Sequence, residues 1–268
     1  DFWNPLIRFL KNTCANLGSV DPDIIDRWVV VDTVEEAFSA IHNNHAPYGS
    51  CDLSPMNFHN INKDVDWRVF RIMAELVEGF EFLTGLVEDV TILGSRSVSQ
   101  DSAYYLSAYN LALELGEKGM SVVTGGGGGI AEAANKGAFE VGAGSYGIGM
   151  EVRGAMHMNP YVQKGITFKF PFTRKMIITA PSKAFVFYPC GFGSLHQLFE
   201  VLTLIQTKKM EQVPILLYDR NFWQPLNEYV KTIFIQKYNT INNTDDELYQ
   251  IVDAESSVAD IIIEARKG

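Results

Sequence analysis

The stretch from Ala184 to Glu200 constrains the fold more than any other. An apolar run, Ala184-Phe185-Val186-Phe187-Tyr188, enters the turn Pro189-Cys190-Gly191-Phe192-Gly193-Ser194. Leu195, Leu198, Phe199, Leu202 and Ile205 then recur at helical spacing. Strand, glycine-rich turn and helix in that order place unpaired helix N–H groups and a positive dipole end behind a loop, which suits a phosphate. The same order recurs where Ser121-Val122-Val123 leads into Thr124-Gly125-Gly126-Gly127-Gly128-Gly129-Ile130. Two such loops point to a site for a phosphorylated small molecule.

The rest of the chain predicts the frame for these loops. Strand patterns fall at 90–93, 121–123, 145–150, 162–169, 184–188, 213–218 and 249–252. Helical patterns fall at 64–83, 101–118, 130–141 and 172–180, then from 195 and from 223, with a last helix that turns Ala259, Ile262 and Ile263 inward. Near-continuous apolar strands alternating with helices indicate an α/β, Rossmann-like doubly wound fold, its mostly parallel sheet covered on both faces. Ligands of such sheets bind beyond the strands' carboxyl ends, so Gly94-Ser95, the 125–129 run and the 189–194 turn are expected to converge. The run at 125–130 imitates a dinucleotide fingerprint only weakly. No ribose-binding acid follows at a suitable distance and no GxxxxGK[ST] is present, which disfavours a redox dinucleotide enzyme and a P-loop.

Three segments organise the chain: an α-rich appendage at 1–42, a linker at 43–63 rich in His, Asn, Pro, Gly and Ser, and the main domain at 64–268. The appendage reads as helix, turn, short strand at Trp28 to Val31 and helix, with Asp32 or Thr33 as a cap and Glu35 or Glu36 reaching back to it. It resembles the chain's own C-terminus. Asp1-Phe2-Trp3-Asn4-Pro5-Leu6 pairs with Asn221-Phe222-Trp223-Gln224-Pro225-Leu226, Lys11 with Lys231, and Val30-Val31-Asp32 with Ile251-Val252-Asp253 after a slip of one residue. Either two amphipathic hairpins coincide, or the appendage is the tail of an upstream copy of the same domain. A start at Asp1 rather than Met carries the same expectation of sequence upstream.

A net charge of −10 favours neither nucleic acid nor an anionic membrane as partner. No apolar run approaches the roughly 20 residues of a membrane span. Cys14, Cys51 and Cys190 form no metal or disulfide pattern and fit a reducing, cytoplasmic setting without metal or cofactor.

The combination of Gly125-Gly126-Gly127-x-Gly129-Ile130-x-Glu132-Ala133-Ala134-Asn135, Arg174-Lys175 and the Pro189 turn resembles the LOG (LONELY GUY) family, long labelled possible lysine decarboxylases. The likeness runs over about 64–266, and Trp67 to Glu75 is typical of its bacterial branch. The resemblance implies a Rossmann-like fold, homodimers or higher oligomers, and hydrolysis of a nucleoside 5′-monophosphate to free base and ribose 5-phosphate. No lysine site for pyridoxal phosphate accompanies the old label. The residues expected to contact substrate are Gly94 and Ser95, from the loop after the first strand, with Gly125, Gly126, Gly127, Gly129, Glu132, Arg174, Lys175, Gly191, Gly193 and Ser194 from the motifs. The resemblance ties catalysis to Arg174 and to the position of Gln197, and Glu200, three residues further along the helix, is a further catalytic candidate.

The match departs from the family's PGGxGTxxE hallmark. Cys190 replaces a glycine, Ser194 a threonine and Gln197 the acid. Breaking an N-glycosidic bond builds oxocarbenium character that a carboxylate can stabilise, and a neutral amide cannot take a proton. The expectation is therefore a phosphoribohydrolase-like protein with an altered catalytic motif. The alternatives are a weak or inactive nucleotide-binding copy and a carrier of a phosphorylated cofactor. Ser194 is expected at the helix N-cap, and His196 is a conceivable substitute acid–base. Cys190 is expected to strain the turn if its position needs a positive φ.

Overall fold

The computed structural model describes residues 2–43, 65–86, 88–151, 158–253 and 255–266, the side chains of 65, 66, 255–257 and 266 excepted. The expected linker lies almost wholly outside the described residues. Seven strands form one parallel sheet: β1 (Asp89–Leu93), β2 (Ser121–Thr124), β3 (Ser145–Met150), β4 (Lys164–Phe168), β5 (Ser182–Phe187), β6 (Ile215–Tyr218) and β7 (Gln250–Val252). Their order is β4-β3-β2-β1-β5-β6-β7. The chain works outward from β1 to β4, then returns to the other side of β1 with β5. That reversal opens a crevice beyond the carboxyl ends of β1 and β5, where doubly wound folds bind ligands.

Ten α-helices accompany the sheet among the described residues. Those of the main domain are α4 (Val65–Leu83), α5 (Ala103–Glu117), α6 (Ile130–Glu140), α7 (Pro171–Thr179), α8 (Phe192–Gln206), α9 (Arg220–Tyr229) and α10 (Glu255–Arg266). Period-2 alternation sends strand side chains to opposite faces. Ala184, Val186 and Tyr188 join α5, α6 and α10 in one core, while Phe185 and Phe187 join α8 and α9 in the other.

The appendage belongs to that second core. Its helices are α1 (Asn4–Phe9), continued by a π-helical segment π1 (Leu10–Cys14), then α2 (Pro22–Asp26) and α3 (Val34–Asn43). Phe9, Leu10, Cys14, Val20 and Ile25 are buried with Phe187, Cys190, Leu195 and Trp223. Burying a side chain as large as Phe9 or Ile25 contributes about 1.5–3 kcal/mol. Asp21 caps α2 by accepting from the Asp23 N–H at 3.1 Å. A reciprocal capping box starts α3: Thr33 Oγ1 accepts from the Glu36 N–H at 3.2 Å, and the Glu36 carboxylate accepts from the Asp32 and Thr33 N–H groups at 2.9 and 3.3 Å.

The strand expected at Trp28 to Val31 does not form: these residues belong to no strand, with Trp28, Val29 and Val30 exposed and Val31 half-buried. Their apolar, β-branched pattern is that of a strand, but β7 and β4 occupy the sheet's edges and among the described residues no strand pairs with them.

Candidate functional site

Three loops meet over the crevice, and close packing joins them. The Ser95 N–H donates to the Pro189 carbonyl at 3.0 Å, tying the loop after β1 to the turn after β5. The Ile130 N–H donates to the Ser95 carbonyl at 3.2 Å, tying in the glycine run. Gly129 has φ +64°, and a Cβ there would come within 2.5 Å of the Ser95 carbonyl oxygen, so both conformation and space require glycine. A Cβ on Gly94 would strike the Ile130 side chain at 2.7 Å.

A buried amide network holds the glycine run from below. Thr124 Oγ1 donates to Asn135 Oδ1 at 2.6 Å and accepts from the Gly126 N–H at 2.9 Å. Asn159 Nδ2 donates to the Gly127 carbonyl and to Asn135 Oδ1, each at 2.9 Å. Asn135 in turn donates to Ser145 Oγ at 2.9 Å. Asn159 was invisible in the sequence, since a lone Asn between β3 and β4 carries no pattern.

The resulting cleft has a volume of about 630 Å³. Of the expected contacts, Gly94, Ser95, Gly125, Gly127, Arg174, Gly191, Gly193, Ser194 and Gln197 line it. Arg96 lines it too, and so do Ser19, Asp21 and Ile24 from the appendage. Gly126 and Gly129 shape the loop behind the wall with positive φ.

Helix α8 begins three residues earlier than the sequence pattern suggested. Gly191 is its N-cap and no side chain caps it. Ser194 is therefore the third helical residue rather than the cap, and its hydroxyl is bonded to the Cys190 thiol. The N-terminus of α8, from Gly191 to Ser194, lines the cleft, and a Cβ on Gly193 would find open space. Cys190 is not among the residues with positive φ, so it adds no backbone strain. Burial pushes its thiol well above the usual range and Cys14 adds to this, which disfavours the thiolate that a nucleophile needs.

Arg174 faces α8 across the cleft. Its Nε donates to the Ile148 carbonyl at 2.9 Å, and a Cβ on Gly125 would lie 3.0 Å from its terminal nitrogen. Burial pulls its pKa down to about 10, so it stays cationic near neutrality. Among the described residues it has no ion-pair partner. Glu75 of α4 positions it by capping α7: the carboxylate accepts from the Lys169 N–H at 2.8 Å, the Phe170 N–H at 3.4 Å and the Thr173 hydroxyl at 2.6 Å.

Gln197 is buried in the cleft wall. Its amide nitrogen donates to Thr179 Oγ1 at 2.6 Å and to Glu200 at 3.4 Å, while its buried Oε1 has no partner among the described residues. Glu200 lies behind it, off the cleft lining. Glu132 is held by Gln100 at 2.7 Å and by the Tyr105 hydroxyl at 3.3 Å, also off the lining. Lys175 is hydrogen-bonded to His196 on an exposed part of the surface, which takes both away from the cleft. Desolvation lowers the Lys175 pKa, opposed by Glu200. Asp21 is thus the one carboxylate among the described residues of the lining, against Arg96 and Arg174.

The family model described as "Possible lysine decarboxylase" matches residues 131–262, from α6 to α10. Over that stretch the chain is similar to the possible lysine decarboxylase (LOG) family. No lysine is among the described residues that line the cleft.

Solved structures share the family fold. TM1055, a structural-genomics target, is 18% identical with a TM-score of 0.51, covering 66% of this chain and 99% of that one. The molybdenum cofactor carrier protein of Chlamydomonas reinhardtii is 16% identical with a TM-score of 0.50, covering 67% and 98%. At these identities the likeness is one of fold. No curated protein matches the chain in sequence. Among the described residues no helix is long and apolar enough to cross a membrane.

Proposed function

We propose that the cleft binds a nucleoside 5′-monophosphate in the manner of a phosphoribohydrolase, and that this copy hydrolyses it poorly. The observation that carries the reading is Arg174, a half-buried guanidinium with no carboxylate partner among the described residues, which lines the same cleft as the uncapped N-terminus of α8. A phosphate between them would gain helix N–H groups, the dipole end and a charge-assisted contact together. The open surface at Gly193 leaves room for the ester oxygen and ribose. Hydrolysis needs a carboxylate near the anomeric carbon, and on α8 that position holds Gln197, a neutral amide. Loss of such a group typically removes about 10²–10⁴ in rate.

One observation favours a second reading, efficient hydrolysis. Asp21 brings a carboxylate to the cleft from the appendage. It could activate water or stabilise an oxocarbenium ion from the opposite wall.

Incubation with AMP, GMP, CMP and UMP, followed by chromatography of the free base, tests both. The first reading expects slow release by the unmodified chain and a gain of about 10² or more in Gln197→Glu. Release at an ordinary enzymatic rate, lost in Asp21→Asn, would replace it with the second. The Asn side chain keeps the cap of α2, so loss of activity there would not report unfolding. No saturable binding of any of the four nucleotides would contradict both and leave a phosphorylated-cofactor carrier as the family activity to test.

A further inference from the structure

The chain contains one structural unit twice. α1 widens into π1, and α9 widens into a second π-helical segment, π2 (Val230–Lys237). The sequence pairing that puts Phe2 on Phe222 puts Phe9 on Tyr229. The two units pack side by side and their contacts are reciprocal. Phe2 meets Tyr229 edge-on at 6.2 Å between ring centroids, and Phe9 meets Phe222 edge-on at 5.6 Å. Each contact becomes the other when the two units are exchanged. That is the rule of a two-fold interface between copies of one domain, here found within a single chain.

The segments C-terminal to the two units differ in their cover. After π2, β7 joins the sheet beside β6, and α10 packs Val258, Ala259 and Ile262 into the core with α5. After π1, Val30-Val31-Asp32 match Ile251-Val252-Asp253 but pair with no strand. The same register carries Phe38 onto Ala259 and Ile41 onto Ile262. Phe38 is 69% and Ile41 74% exposed, whereas Ala259 and Ile262 are 0% and 2% exposed. A well-capped helix and the apolar run before it thus have the sequence of a closing strand and helix, and among the described residues no sheet takes them up.

We propose that residues 2–43 are the C-terminal tail of a second domain of this type, carried upstream in the same polypeptide, and that the two domains pair about a pseudo-two-fold axis between α1 and α9. The counterpart of α5 in that domain covers Phe38 and Ile41, and the counterpart of β6 pairs with the extended run at 28–31. The arrangement makes each cleft composite. Ser19, Asp21 and Ile24 wall this cleft as the tail of the other domain. By the same operation Asn239 to Thr244, which match Ser19 to Ile24, reach the cleft of the upstream domain.

The test compares hydrogen exchange of the α3 amides in the natural-length polypeptide and in the 268-residue chain, with the intact mass of both. The proposal expects a natural polypeptide longer by about one domain, with α3 exchange slowed on the order of 100-fold relative to the shorter chain. It also expects Phe38→Asp to lower the unfolding temperature of the natural polypeptide by several degrees, as a buried position would. A natural polypeptide that starts near Asp1, or equal exchange in both forms, overturns it. Protection in the 268-residue chain that rises with concentration as its mass doubles also overturns it, and assigns the covering surface to a second copy of this chain.

Discussion

The carbonyl oxygen of Ser19 occupies the space that a Cβ on Gly191 would need. The appendage therefore lies directly on the N-terminus of α8, and the glycine there is required by the approach of another backbone rather than by its own dihedral angles, φ −105° and ψ −165°. Gly191→Ala should push the appendage off the cleft at a cost of about 1–3 kcal/mol, the range for an overpacked contact. Gly193→Ala meets open space and should leave stability unchanged within about 0.5 kcal/mol while reducing nucleotide affinity by crowding the cleft. Thermal unfolding and nucleotide titration of the two variants separate these effects.

Cys14 and Cys190 sit beneath that contact, buried on the same core. Desolvation pushes the Cys14 thiol up to about 12 and holds the Cys190 thiol well above its ordinary value. Neither should react with a thiol reagent at pH 8 in the native chain, as read by peptide mapping. In Gly191→Ala both should become labelled at rates that follow local opening of the appendage.

Glu75 binds three donors at the start of α7 although it lies on α4, about a hundred residues earlier in the chain. Glu75→Ala leaves those donors unsatisfied and should cost about 1–3 kcal/mol. It should also weaken nucleotide binding without touching the ligand, because α7 carries Arg174. Glu75→Gln keeps one acceptor oxygen and should restore part of both losses, which a calorimetric titration and a melting curve would register together.

The frame of the site was legible because strand hydrophobicity, glycine turns and helix spacing are local signals. They fixed which loops leave the carboxyl ends of β1, β2 and β5, and therefore that Ser95, Gly125 and Gly191 share one cleft. The parts that depend on packing between distant segments were not legible. Nothing local shows that Ser19 and Asp21 wall the cleft, that Asn159 braces the glycine run, or that Glu132 is held by Gln100 and Tyr105. The capping box at Thr33 and Glu36 was readable from four residues. The segment from Trp28 to Val31 misleads for the opposite reason: local pattern specifies a strand, but a strand forms only where a neighbour accepts its hydrogen bonds.

Asp89, at the start of β1, is buried, and its carboxylate oxygens have no hydrogen-bond partner among the described residues. Desolvation, with the nearby Glu88 charge adding to it, raises its pKa from 3.8 to about 6. A carboxyl whose folded pKa is raised favours the fold while protonated. Its stabilising effect is whole below pH 3.8 and is lost as pH rises to about 6, because the unfolded chain ionises first. Asp89→Asn should therefore gain on the order of 1 kcal/mol over the unmodified chain at pH 7.5, allowing for solvent screening, and little at pH 4. Melting curves of both proteins at the two pH values check the sign.

The central claim is that Arg174 and the N-terminus of α8 hold the phosphate of a nucleotide. Isothermal titration of the chain with AMP, GMP, CMP and UMP, beside Arg174→Ala, tests it most directly. The account predicts saturable binding of at least one of the four, one per chain, with affinity falling by about tenfold or more in the variant, the scale of a charge-assisted contact. Equal affinity in the two proteins, or no binding of any of the four, would contradict it.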